Sequence, residues 1–272
     1  MAWSAGAYGV TAVRIARRGR GARRRAGEER LTFVVGAPRS GTTFTAGSLA
    51  AQPGWVDLGE VPLLKAAIPE LVGRPAAEQS GRVRRIIQRV RTLGLARGLR
   101  GVEQTPETAF VLAAALQAFP QAQAVHVVRD GRDVVCSLLE RGWFRADRGG
   151  FDDARGAYGP HPRFWVEPER TDEFSRVSEA RRAAWAWRRY VSAVRGVRER
   201  VVDLRYEALV TQPDTEAQRL SASLGGDADA LAAAFGRAHD TSLGRWRTDL
   251  TSEQVRDVED EAGELLAELG YA

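Results

Sequence analysis

The sequence is poor in the residues that build metal and redox sites. Cys136 is its single cysteine, which excludes an intramolecular disulfide and a cysteine-rich zinc site. His126, His161 and His239 are scattered and show no paired metal-ligand spacing, so no structural metal is expected. Lysine is almost missing: Lys65 is the only one among 40 basic residues, which makes arginine the default cation and any single arginine weak evidence. Long apolar runs are lacking as well. The longest near the start, Ala5 to Val13, falls far short of the roughly 20 residues a membrane helix needs. Basic residues follow that stretch instead of preceding it, the reverse of a secretory signal, so the expected location is cytoplasmic.

What is present is an ordinary globular composition, 44% hydrophobic and 28% charged, in a chain of 272 residues, enough for one large domain with a sizeable core. Residues 1–30 form an Arg- and Gly-rich segment with eight arginines against Glu28 and Glu29. The whole chain carries only +5, so its basicity belongs to this tail and the remainder is close to neutral. Specific nucleic-acid binding is therefore not expected. Weak contact of the tail with a membrane surface is the peripheral alternative. No linker or repeat divides residues 31–272, which are expected to form one domain.

Leu31 to Val35 is a short apolar run ending at Gly36 and reads as a buried strand. Thr42 to Gln52 reads as the helix that follows, stopped by Pro53-Gly54. Ala122 to Val128 is a second strand, Val134 to Arg141 its helix, and Val201 to Leu204 a third strand candidate. Two amphipathic faces, Val83/Ile86/Ile87/Val90/Leu93 and Val255/Val258/Ala262/Leu265/Leu266/Leu269, are expected in the core. Alternating strands and helices predict a three-layer α/β/α fold with a mainly parallel central sheet. Between Trp143 and Phe174 the pattern dissolves. The aromatics there, Trp143, Phe144, Phe151, Tyr158, Phe164 and Trp165, are either an acceptor-binding lid or a satellite core.

The spacing Gly36-x-x-x-x-Gly41, after a strand and before a helix, is that of a phosphate-binding loop, in which backbone N–H groups and a helix N-terminus converge on an anion. A nucleoside triphosphatase would continue with lysine, but Thr42 stands there and the loop's cation is Arg39. The ligand implied needs hydroxyl and amide donors plus one cation, without the lysine and Mg²⁺ that balance a triphosphate.

Across Pro38-Arg39-Ser40-Gly41-Thr42-Thr43 the chain resembles the sulfotransferases that use 3'-phosphoadenosine 5'-phosphosulfate (PAPS), whose loop carries Lys/Arg-Ser-Gly-Thr-Thr in this setting. The likeness extends to bacterial members and to the tyrosylprotein branch. It implies a P-loop-containing fold, PAPS as donor without a metal, and a hydroxyl or amine acceptor on a small molecule, carbohydrate or lipid. It also implies that Arg129 and Ser137, eight residues apart, hold the 3'-phosphate, with forked guanidinium donors and one neutral hydroxyl.

Glu60, in Leu58-Gly59-Glu60, matches the Gly-Glu base of the tyrosylprotein branch. Glu103, in Glu103-Gln104-Thr105-Pro106, is its rival, and Gln104 replaces a lysine frequent in relatives, which shifts electrostatic load to Arg39. The histidine base of cytosolic members has no counterpart in this stretch. Tyr206, in Arg205-Tyr206-Glu207-Ala208-Leu209, is expected on the adenine side, and Trp246 or Arg247 over the 3'-phosphate. Two readings compete with this one: a P-loop kinase-like phosphotransferase, and a non-catalytic nucleotide-binding or docking module.

Overall fold

The computed structural model describes residues 30–93, 99–145 and 163–271. In chain order the elements are β1 (Leu31–Val35), α1 (Thr42–Ala50), β2 (Trp55–Gly59), α2 (Pro62–Leu71), α3 (Ala76–Leu93), β3 (Arg100–Glu103), a 3₁₀ turn at Pro106–Val111, α4 (Leu112–Ala118), β4 (Gln123–Val128) and α5 (Gly131–Glu140). A second 3₁₀ turn at Pro168–Arg170 leads into α6 (Thr171–Arg176), α7 (Glu179–Arg195), β5 (Val201–Arg205), α8 (Tyr206–Thr211), α9 (Pro213–Leu224) and α10 (Ala228–Phe235). A third at Asp240–Ser242 precedes α11 (Trp246–Asp249) and α12 (Ser252–Glu268).

The five strands form one sheet in the order β2-β3-β1-β4-β5, and every pairing in it is parallel. Parallel pairing needs crossover helices on both faces, and the burial of β1 shows why these residues make a central strand. All five of its positions are buried. Leu31, Phe33 and Val35 face a core shared with α2, α3, α4, α5, α7 and α12, while Val34 faces the other, shared with α1, α8, α9 and α10. Each fully buried side chain of this kind contributes about 1.5–3 kcal/mol. Both amphipathic faces expected from the sequence lie in the first core, although the side chain of Leu93 falls outside the described residues.

Strand order reverses at β1, whose neighbours are β3 on one side and β4 on the other. In open α/β sheets a ligand crevice forms beyond the carboxyl ends of the strands at such a point. Here the segment after β1 is Gly36–Gly41 and the segment after β4 begins with Arg129, so topology alone brings the two anion-binding candidates to one crevice.

The sequence showed three strands, and the structure adds β2 and β3. Of the aromatic segment, Phe144 and Trp165 are buried and meet edge to face at 6.0 Å, with Trp165 meeting Phe174 in the same way at 5.5 Å. Trp143 and Phe164 pack against the same core, which answers the lid alternative for these four. Phe151, Tyr158 and the tail at residues 1–29 lie outside the described residues.

Candidate active site

Two glycines set the shape of the loop after β1. A Cβ on Gly36 would sit 2.4 Å from the carbonyl oxygen of Val127 on β4, so only glycine lets the two chains approach this closely. Gly41 has φ +99°, where side chains are strained, and a Cβ there would lie 2.4 Å from the ring of Tyr206. Between them Ser40 closes a turn, its N–H and hydroxyl both donating to the carbonyl of Ala37, at 3.1 and 2.6 Å. Pro38 sits inside this turn. Arg39 takes φ +71°, a left-handed conformation that costs a non-glycine residue about 1–3 kcal/mol and is characteristically retained at functional sites. Thr42 and Thr43 open α1, which puts their N–H groups at the helix N-terminus.

Arg39 turns toward α5, where its Nε donates to the hydroxyl of Ser137 at 3.0 Å. Arg129, at the end of β4, donates from Nη1 to the backbone carbonyl of Arg39 at 3.3 Å and from Nη2 to that of Ser242. Its guanidinium carbon lies 5.0 Å from the centroid of the Tyr206 ring. Arg39, Arg129, Ser137, Gly41 and Tyr206 thus form one cluster, which sets the two candidate anion sites of the sequence side by side. Burial, and then the like charges of Arg141 and Arg129, lower the pKa of Arg39 below the usual guanidinium value. Cations crowded against one another leave a region that favours an anion.

Several residues that hold this cluster carried no recognisable sequence signal. Trp187 donates its indole N–H to the carbonyl of Arg129 at 3.1 Å and fixes the strand end. Glu207, next to Tyr206, accepts from the N–H of Asp130 at 2.8 Å, tying β5 to β4. Asp133 reads as part of an exposed Arg-Asp run but is 1% exposed. Its carboxylate accepts the N–H groups of Gly244 at 2.7 Å and Trp246 at 3.1 Å, which pins the 244–247 segment over α5. Trp246 packs under Arg132 at 4.0 Å, and the guanidinium of Arg247 lies 4.6 Å from the same ring.

On the other side of the loop, Thr43 donates its hydroxyl to Oε1 of Gln104 at 3.1 Å, joining α1 to the end of β3. The β2 end is fastened to the same place. The N–H of Gln104 donates to the carbonyl of Gly59 at 3.3 Å, and the N–H of Val61 to the hydroxyl of Thr105 at 2.9 Å. Glu60, held between these two bonds, is exposed and pairs with Lys65 at 3.1 Å.

Glu103 differs sharply from Glu60. It is fully buried, accepting the Thr105 N–H at 2.7 Å and the Thr108 hydroxyl at 3.2 Å, and burial pushes its carboxyl up to about 8. A carboxyl that holds its proton at neutral pH is a poor proton acceptor there, which favours Glu60. The folded chain keeps this proton up to about pH 8 while an unfolded glutamate releases it near 4.5. The associated stability is therefore full below the unfolded value and is lost as pH rises toward 8, a change on the order of 4 kcal/mol. Glu103→Gln, which mimics the protonated form, is expected to remove this slope: urea unfolding at pH 5 and pH 8 should differ less in the variant than in the parent.

Among the described residues no group of three or more His, Cys, Asp and Glu side chains is placed to hold a metal ion, and no helix is long and apolar enough to cross a membrane.

A parallel sheet with a glycine loop at its switch point, converging on two arginines and no loop lysine, defines an α/β protein with a candidate anion-binding crevice. A model described as the sulfotransferase family matches residues 76–230, over half of the chain, and the chain belongs to that family. The matched span contains Arg129, Ser137 and Tyr206 and begins after the loop and Glu60. No curated protein sequence matches the chain. Among solved structures it is similar to the sulfotransferase domain of the Synechococcus PCC 7002 olefin synthase, at 17% identity and a TM-score of 0.51 over 89% of this chain and 98% of that one. Sulfotransferase STF9 from Mycobacterium avium gives 16% and 0.53 over 89% and 77%. Mouse sulfotransferase SULT7A1 complexed with PAP, the desulfonated nucleotide, gives 16% and 0.51 over 89% and 86%. At such identities the likeness establishes the fold, and the fold agrees with the one expected from the alternation of strands and helices.

Proposed function

We propose that this sulfotransferase moves a sulfonate from PAPS to a hydroxyl or amine acceptor, releasing PAP and a sulfated product. The observation that carries the reading is the convergence of the Gly36–Thr43 loop with Arg129, Ser137 and Tyr206 at the switch point of the sheet. The residues suit a nucleotide with two anionic ends. Arg129 has a buried Nε without a hydrogen-bond partner, Arg39 is crowded by like charge, and the close approach at Gly36 leaves no side chain between loop and strand.

In this reading the loop amides, Arg39, Ser40, Thr42 and Thr43 hold the 5'-phosphosulfate. Arg129 and Ser137 hold the 3'-phosphate, Tyr206 borders the adenine side, and Trp246 with Arg247 closes the crevice. During in-line displacement the acceptor oxygen or nitrogen bonds to sulfur, the bond from sulfur to the phosphate oxygen breaks, and the acceptor proton passes to Glu60. Arg39 stabilises the charge that develops on the leaving phosphate, without a lysine at position 104. The acceptor is a small molecule, carbohydrate or lipid, and the enzyme works in the cytoplasm, with its basic tail suited to weak contact with an anionic membrane surface.

Calorimetry with PAP tests the nucleotide assignment. Arg129→Ala removes charge-assisted contacts of about 1.5–3 kcal/mol each, so PAP affinity should fall about tenfold or more. Unchanged affinity would remove Arg129 from the site.

A further inference from the structure

The sole lysine of the chain stands beside the proposed base. Lys65, on the first turn of α2, places Nζ 3.1 Å from Oε2 of Glu60 and 3.5 Å from Oε1 of Glu107. Its two carboxylate partners differ in setting: the Glu60 side chain is 42% exposed, that of Glu107 1%. Tyr190 on α7 donates its hydroxyl to the same Oε1 of Glu107 at 3.3 Å. A line of groups therefore runs from the core outward, Tyr190 to Glu107 to Lys65 to Glu60. Glu107 is anchored in the interior and holds the lysine, and the lysine meets the exposed carboxylate at its outer end. A long ammonium side chain with only 13% exposure has given up most of its freedom, so the pair with Glu60 needs little further ordering.

From this geometry we infer that Lys65 is a positioning residue for Glu60: it orients the carboxylate at the end of β2. The inference rests on Glu60 being the base. Lysine elsewhere in the chain is absent, so no second ammonium can substitute.

The test uses the full chain, labelled PAPS and a hydroxylated acceptor that the parent enzyme sulfates, with kcat, KM for PAPS and PAP affinity measured separately. In Lys65→Met kcat should fall by about 10–100-fold with KM for PAPS and PAP affinity unchanged, and Lys65→Arg should restore most of the loss. A structural role alone would lower the melting temperature without separating kcat from nucleotide affinity. Lys65→Gln, which can still hydrogen-bond Glu107, gives the same test if the methionine variant does not fold. An unchanged kcat in a folded, PAP-binding variant overturns the inference while leaving the base assignment intact, provided Glu60→Gln is inactive. Turnover retained in Glu60→Gln instead overturns the base assignment and this inference with it.

Discussion

Glu60→Gln is expected to lower kcat by about 10²–10⁴ while PAP binding stays near the parental value. The amide keeps the size of the side chain and removes its capacity to accept a proton. Nothing in the donor cluster depends on that carboxylate: its ion pair is with Lys65, and the loop reaches the β2 end through Thr43, Gln104 and Gly59. Turnover and nucleotide affinity should therefore separate cleanly. If the variant loses both, Glu60 supports the fold of the site. If it loses neither, the proton leaves by another route, and Glu103 is a poor one because burial keeps it protonated to about pH 8.

Arg39→Met should reduce kcat by about 10²–10³, the loss typical of removing one donor aimed at developing charge. The positive φ of Arg39 and its Nε bond to Ser137 hold the guanidinium in the crevice. Gln104 supplies an amide without charge, so no second cation at that position compensates. Single-turnover rates at saturating PAPS would measure the effect on chemistry apart from binding. A loss confined to donor affinity would make Arg39 a binding residue only.

The parts of the fold that could be read from the sequence are those whose local pattern is unbroken. β1 is five apolar or β-branched residues ending at glycine, and both the loop and the start of α1 follow at the expected positions. β4 and α5 were legible for the same reason, although α5 starts at Gly131, three residues before the apolar pattern does, because Asp130 caps it by accepting the Arg132 N–H. β2 and β3 were not legible. β2 carries Asp57 in its middle and follows a Pro-Gly turn, while β3 is four residues with charge at both ends, so neither shows the run that marks a buried strand.

The site divides in the same way. The loop motif and the spacing of Arg129 and Ser137 lie along short stretches of chain and can be seen there. That Arg39 reaches Ser137, 98 residues away, is a product of strand order and has no linear signature. Asp133 lies in the charged run Arg-Asp-Gly-Arg-Asp, where nothing local marks it as buried; the folded-over 244–246 backbone supplies the N–H groups that its carboxylate accepts. Glu60 and Lys65 are five residues apart, but Glu107 joins them from the 3₁₀ turn after β3, a meeting with no linear signature.

The most direct test of the account is transfer of label from [³⁵S]PAPS to a panel of hydroxylated and amine acceptors, with a chelator present and Mg²⁺-ATP as the comparison donor. The account predicts label on an acceptor, one PAP released per sulfated product, and no phosphorylation from ATP. Binding and turnover of Mg²⁺-ATP, with no transfer from PAPS to any acceptor, would contradict it.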